Sequence, residues 1–182
     1  MLKILAGSLI QPPVTKPAPA PDNAALAELA DKVDAAARDW LGRSLAIRMV
    51  DAGSCNACEL EIHALNNSFY DLERFGIQFV ASPRHADVLL VTGPMTKNMR
   101  EALERTYNAI PNPKWVVAVG DCAADGGCFA GSYAVVGGVS EVVPVDLHIP
   151  GCPPSPSQML AGLLALLEKP ISKCLTEKSA TD

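Results

Sequence analysis

The chemistry open to this chain of 182 residues rests on its six cysteines. Cys55 and Cys58 stand in Asp51-Ala-Gly-Ser-Cys-Asn-Ala-Cys-Glu-Leu-Glu61, Cys122 and Cys128 flank a Gly-rich turn, Cys152 falls in Ile149-Pro-Gly-Cys-Pro-Pro154, and Cys174 lies in a polar tail. Thiolates are strong nucleophiles and soft metal ligands. A Cys-x-x-Cys pair alone can be a redox dithiol, half of a zinc site or half of an iron-sulfur site, so the remaining cysteines decide the reading.

Where those cysteines meet depends on the elements between them. Leu45-Ala-Ile-Arg-Met-Val50 reads as a strand, and apolar residues at helical spacing after the first cysteine pair predict a helix from about Glu59 to Arg74, closed by Gly76. The pair therefore sits on a strand-to-helix turn, where amides at the helix start would favour thiolates. Ile77 to Ala81 reads as a short strand and Asp87 to Thr92 as a strand buried on both faces, stopped by Gly93-Pro94. A helix from about Met99 to Ile110 and a strand from Lys114 to Gly120 follow. Val142 to Ile149 contains Pro144 and is expected to be an edge strand or one that begins late. A helix from Ser155 to Glu168 closes the domain, with Met159, Leu160, Leu163, Leu164 and Leu167 inward. Before all of these, Leu26, Leu29, Ala30, Val33, Ala37, Trp40 and Leu41 mark the apolar face of a helix that starts at Asp22 or Asn23 and ends at Gly42.

Alternating strands and helices predict an α/β domain over residues 23–168, a parallel sheet with helices on both faces. Residues 1–22, rich in proline, read as an extended arm, and 169–182 as a tail. In such sheets ligands gather at the carboxyl ends of the strands. Cys55 and Cys58 follow the first strand, Cys122 the strand ending at Gly120 and Cys152 the strand ending at Ile149, so all four fall on one edge. Four thiolates from three loops suit zinc or a cubane iron-sulfur cluster. The spacing favours the cluster, because structural zinc sites usually take two close pairs. Cys128 is either a core thiol or a competitor for the third position, and Cys174 a bystander.

Composition narrows the role. A formal net charge of -5 without a Lys/Arg run argues against nucleic acid. Hydrophobic content of 49% and a mean hydropathy of +0.18 exceed the needs of a free soluble chain and point to a covering partner. No apolar run is long enough to span a bilayer, and the first ten residues do not read as a signal peptide, so the expected location is cytoplasmic. There, cysteines serve more often as ligands than in disulfides. No Gly-Lys-Ser/Thr ending marks a phosphate-binding loop, so no nucleotide is expected. His63, His85 and His148 lack metal-ligand spacing and read as surface or core residues. Glu59 and Glu61 flank the first pair; one of them could relay protons to a partner, the plainer role being a first-turn glutamate favoured by the helix dipole.

Taken in order, Gly-Ser-Cys-Asn-Ala-Cys-Glu-Leu-Glu, Val-Thr-Gly-Pro-Met, Val-Gly-Asp-Cys-Ala with Gly-Gly-Cys-Phe, and Ile-Pro-Gly-Cys-Pro-Pro-Ser-Pro resemble the small subunit of membrane-bound, energy-converting nickel-iron hydrogenases of the formate hydrogenlyase and hydrogenase-4 type. Respiratory complex I contains a homologous subunit. The resemblance covers about residues 45 to 168. It implies a flavodoxin-like fold carrying one 4Fe-4S cluster on Cys55, Cys58, Cys122 and Cys152, pressed against a large subunit. The further partners it implies are a ferredoxin-like iron-sulfur subunit and membrane-embedded subunits, with the chain peripheral on the cytoplasmic side. Complex I subunits of this type usually carry two adjacent cysteines in the first motif, whereas Cys55-Asn-Ala-Cys58 matches the hydrogenase form. Two function classes follow: an electron-transfer subunit of a hydrogenase-like or quinone-reducing complex, and a zinc-stabilised binding module.

Overall fold

The computed structural model describes residues 23–168. The arm 1–22, the tail 169–182 with Cys174, and the side chains of Leu26 and Trp40 lie outside the described residues. Strands β1 (Leu45–Asp51), β2 (Ile77–Phe79), β3 (Val88–Thr92), β5 (Trp115–Val119) and β7 (Leu147–Ile149) form a five-stranded sheet in the order β2-β1-β3-β5-β7, every pair parallel. Two further strands, β4 (Met95–Thr96) and β6 (Val135–Gly137), pair antiparallel beside it.

Period-two alternation divides the core between the two faces of the sheet. Val88 and Leu90 of β3, with Val117 and Val119 of β5, pack against helices α1 (Asn23–Leu41), α2 (Ala57–Leu65) and α5 (Pro156–Leu167). Leu89, Val91, Val116 and Ala118 face the other way, toward α3 (Arg100–Ala109) and the short α4 (Asp121–Asp125). Every residue of β3 is buried, as its apolar run predicts for a central parallel strand. The fold is the flavodoxin-like α/β arrangement expected from the sequence.

Several boundaries differ from expectation for local reasons. α2 ends at Leu65 rather than near Arg74, because Asn67 Oδ1 accepts the amides of Phe69 (2.8 Å) and Tyr70 (3.1 Å), bonds that compete with helix continuation. Only a 3-10 turn, Leu72–Phe75, resumes before Gly76. No α-helix joins β2 to β3; residues 80–87 cross the sheet with one 3-10 turn, Pro83–His85, that packs against α3. β7 is both late and at the edge, three residues long, as Pro144 suggested. α5 starts with a capping box in which Ser155 Oγ accepts the Gln158 amide and Gln158 Oε1 accepts the Ser155 amide at 2.8 Å. On that helix Leu166 is buried while Leu164 is only partly so.

One buried carboxylate fastens the amino-terminal edge of the sheet. Asp87 is 3% exposed; its Oδ2 accepts the Ala46 amide at 3.0 Å and Arg43 Nη1 at 2.9 Å, while the Asp87 amide donates to the Ala46 carbonyl at 2.8 Å. Asp87→Ala strands the Ala46 N–H in the interior and is expected to cost about 2–3 kcal/mol in urea unfolding. Arg43→Ala, whose side chain is half exposed, is expected to cost about 1 kcal/mol or less. Equal losses from the two would show that the pair, rather than the buried amide, carries the stability.

Candidate metal centre

The first cysteine loop is shaped by the residue that ends β1. Asp51 Oδ1 accepts the amides of Gly53 and Ser54, each at 2.7 Å, and Ser54 Oγ accepts the Asn56 amide at 3.1 Å. These short side-chain bonds curl the chain at once into α2, with Asn56 in the left-handed region (φ 72) that asparagine tolerates. Cys55 is left exposed on the turn, and Cys58, one helical position in, is turned into the core and 9% exposed. The loop is held from the side by β4: the Thr96 amide and hydroxyl both donate to the Ala52 carbonyl, at 3.1 and 2.7 Å.

Cys122 stands in the first turn of α4, directly after β5, and Cys152 directly after β7. Their loops are bonded to each other. The Asp121 amide donates to the Gly151 carbonyl and the Gly151 amide donates to Asp121 Oδ1, both at 2.9 Å. One step earlier the Gly120 amide donates to the Ile149 carbonyl at 2.8 Å, and His148 Nε2 lies 3.0 Å from the Gly120 carbonyl. Gly120 (φ 86) is where the first loop meets the other two. A Cβ there would lie 2.8 Å from Cys58 Sγ and 3.3 Å from the Gly151 carbonyl oxygen, so the absence of a side chain lets the Cys58 sulfur reach across the end of β3.

The structure thus brings the four sequence-predicted thiols to one sheet edge and couples them electrostatically. Burial pushes the Cys58 thiol up to about 12, and Glu59, Cys122, Cys55 and Cys152 push in the same direction. Burial likewise raises Cys122, followed by Cys128 and Cys152. At Cys58 desolvation works against the anionic form that the helix start is expected to favour. Among the described residues, no group of three or more His, Cys, Asp or Glu side chains is gathered closely enough to hold a single metal ion. A tetrahedral zinc would need its thiolates converging on one point at about 2.3 Å. A cubane spreads four thiolates over four separate irons, and an all-thiol donor set is the one such clusters take.

Other candidates separate clearly. Glu59 is 4% exposed with neither carboxylate oxygen hydrogen-bonded, so it is no solvated first-turn glutamate, whereas Glu61 is only partly buried. His63, His85 and His148 are all exposed. Cys128 lies on the 3-10 turn Gly127–Phe129, beside Cys122. Reading the sequence did not reveal the partners that brace the loops, Asp51, Thr96 and Asp121. Asp51-Ala-Gly-Ser carried a usable signal, since Asp two residues before Gly at a strand end favours a turn closed by its side chain.

The electrostatics set a sign for the metal-free chain. Below the ordinary thiol value of 9.0 Cys58 is protonated both folded and unfolded and contributes no pH dependence. Above 9.0 and up to about 12 the unfolded chain ionises while the folded one keeps its proton, so stability falls as pH rises through that window. The urea midpoint of the metal-free chain is expected to drop above pH 9.0 more steeply than that of Cys58→Ala; parallel curves would remove Cys58 as the cause.

Among solved structures, a chain of the membrane-bound sulfane sulfur reductase, an archaeal respiratory membrane complex, is similar to this one: 34% identity, TM-score 0.62, and cover of 76% of this chain and 74% of that one. The family model described as NADH ubiquinone oxidoreductase, 20 Kd subunit, matches residues 55–166, a span that begins at Cys55 and takes in Cys58, Cys122 and Cys152. The chain belongs to the NADH ubiquinone oxidoreductase 20 Kd subunit family, which joins that complex I subunit with the small subunits of nickel-iron hydrogenases.

Proposed function

We propose that this chain is the electron-transfer small subunit of a membrane-associated, hydrogenase-like or complex I-like oxidoreductase, holding one 4Fe-4S cluster on Cys55, Cys58, Cys122 and Cys152. The observation that carries the reading is the placement of these thiols on one sheet edge, with Cys58 Sγ packed against Gly120 and the loops that carry Cys122 and Cys152 hydrogen-bonded to each other. When bound, such a cluster takes up and gives back one electron at a time.

The chain's own residues prepare that site in three ways. The Asp121–Gly151 pairing and the Thr96 hydroxyl fix the ligand loops before any cofactor arrives, so little ordering cost remains for binding. Burial of Cys58 and its neighbours' charge keep the thiol protonated alone, so loading must displace a proton that a cationic cluster core replaces. Exposed apolar side chains border the rim: Leu60 follows Cys58 on α2, and Phe129, Tyr133 and Val136 follow Cys128. Tyr133, 90% exposed, would be uncovered in water without a partner, and we assign this border to the large subunit.

The terminal chemistry belongs to that large subunit, and the hydrogenase-type spacing Cys55-Asn-Ala-Cys58 favours a nickel-iron partner over a quinone pocket. A ferredoxin-like subunit would exchange electrons with the cluster, and membrane-embedded subunits would anchor the assembly at the cytoplasmic face. Among the described residues no helix is long and apolar enough to cross a membrane, in keeping with a peripheral position. Glu59, buried and without a hydrogen-bond partner beside Cys58, or the neighbouring Glu61, is the candidate proton relay. The separation of the ligand cysteines along the chain weighs against the zinc-stabilised module, since structural zinc sites usually take two close pairs.

Anaerobic reconstitution tests the assignment. The reduced chain is expected to take up about four iron and four sulfide, with serine replacement at Cys55, Cys58, Cys122 or Cys152 abolishing the reduced cluster's spin-resonance signal and replacement at Cys128 sparing it. Stoichiometric zinc with no sulfide would establish the binding module instead. Gly120→Ala, which sets a Cβ against the Cys58 sulfur at a left-handed position, is expected to keep the cooperative fold and lose most of the cluster; full cluster content in that variant would remove Gly120 as the meeting point of the loops.

A further inference from the structure

Cys128 has no part in the proposed ligand set, yet the fold holds it against one of the ligands. α4 ends at Asp125, and the Gly126 amide donates to the Cys122 carbonyl at 2.9 Å. Gly126 (φ 96) and Gly127 (φ 51) then turn the chain back over the helix it has just left. A Cβ on Gly127 would lie 2.8 Å from Cys122 Sγ and 3.0 Å from Cys122 Cα, so only glycine permits this approach. Cys128, the next residue, is thereby held beside Cys122. It is exposed, and Cys122 is partly buried. The Cys-x-x-Cys pair is arranged differently: Asn56 in the left-handed region turns Cys58 into the core and leaves Cys55 outside.

We propose that in the cluster-free chain Cys122 and Cys128 form a reversible disulfide, which withdraws one ligand from the site until a thiol reductant restores it. The inference rests on the reading of Cys122 as a cluster ligand. With a small-molecule disulfide such as oxidised glutathione as oxidant, the exposed Cys128 thiolate attacks first. A Cys128–glutathione bond forms, the glutathione S–S bond breaks, and one glutathione thiolate leaves. The Cys122 thiolate then attacks the Cys128 sulfur, closing the Cys122–Cys128 bond and expelling the second glutathione. The protein has given up two electrons and two protons, and the small disulfide has taken up both as two thiols. Cys122 is thereby also kept from oxidation beyond the disulfide level while no iron protects it.

The full chain, reduced and free of cluster, is treated anaerobically with an equimolar amount of oxidised glutathione, alkylated, and mapped by mass spectrometry. The expected product is a Cys122–Cys128 linked peptide, with uptake of iron and sulfide lost until dithiothreitol is added. Cys128→Ser is expected to abolish both the linked peptide and the loss of uptake. A Cys55–Cys58 peptide in its place, or Cys128 recovered as a free thiol or a lasting glutathione adduct, overturns the proposal. Uptake by the untreated reduced chain is scored separately: failure there removes the cluster reading, while the peptide map still decides which thiols pair.

Discussion

The reciprocal bond between Asp121 and Gly151 is the constraint on which the rim of this domain depends. Parallel strands bring their carboxyl ends to one edge at a spacing of about 4.8 Å, but the loops beyond them are free to diverge. β5 and β7 are adjacent, and the two 2.9 Å bonds between Asp121 and Gly151 extend their pairing past the last ladder residues, so Cys122 and Cys152 leave the sheet already in register. β1 is separated from β5 by β3, a gap of roughly 10 Å at that spacing. The Cys58 side chain closes it by reaching to Gly120. Were the β5 and β7 loops to part, Cys58 would have nothing to reach toward.

The same edge brings together two thiols, Cys58 and Cys122, that burial makes costly to ionise without a counter-charge. Glu59 is enclosed beside Cys58 with neither carboxylate oxygen hydrogen-bonded. The two thiols leave the site electrostatically incomplete by itself, since burial without a counter-charge disfavours their anionic forms. The apolar border of Leu60, Phe129, Tyr133 and Val136 adds a second incompleteness, of surface instead of charge. In the proposed function both are answered by association, the first with a metal core and the second with a protein face.

Much of this arrangement was legible in the chain. The strand-end placement of Cys55, Cys58, Cys122 and Cys152 follows from apolar runs that stop at Gly or Pro, because a parallel sheet leaves its strands no other edge on which to end. The sequence could not show which loops touch. Asp121 and Gly151 lie far apart in the chain, and their bonding depends on β5 and β7 being neighbours, a matter of strand order that local patterning does not encode. The early end of α2 was hidden for the opposite reason: its apolar periodicity continues past Leu65, and the side chain of Asn67 outcompetes it through two local bonds. The burial of Glu59 escapes local patterning too, because first-turn glutamates are usually solvated, whereas here the helix start itself is sunk between the sheet and α5.

The division of the core into two apolar halves has a consequence for biogenesis. Apart from Cys58, neither half draws on the thiols, and the aliphatic layers that unite β1, β3, β5 and β7 with their helices are complete without them. A zinc finger collapses around its ion, so that metal and fold arrive together. Here the order is reversed, since the ligand positions come into being only after distant segments have paired through the whole sheet. On the proposed cluster reading the polypeptide matures as a folded vessel first and receives its inorganic cargo afterwards, which makes delivery, and not folding, the step that a cell can schedule.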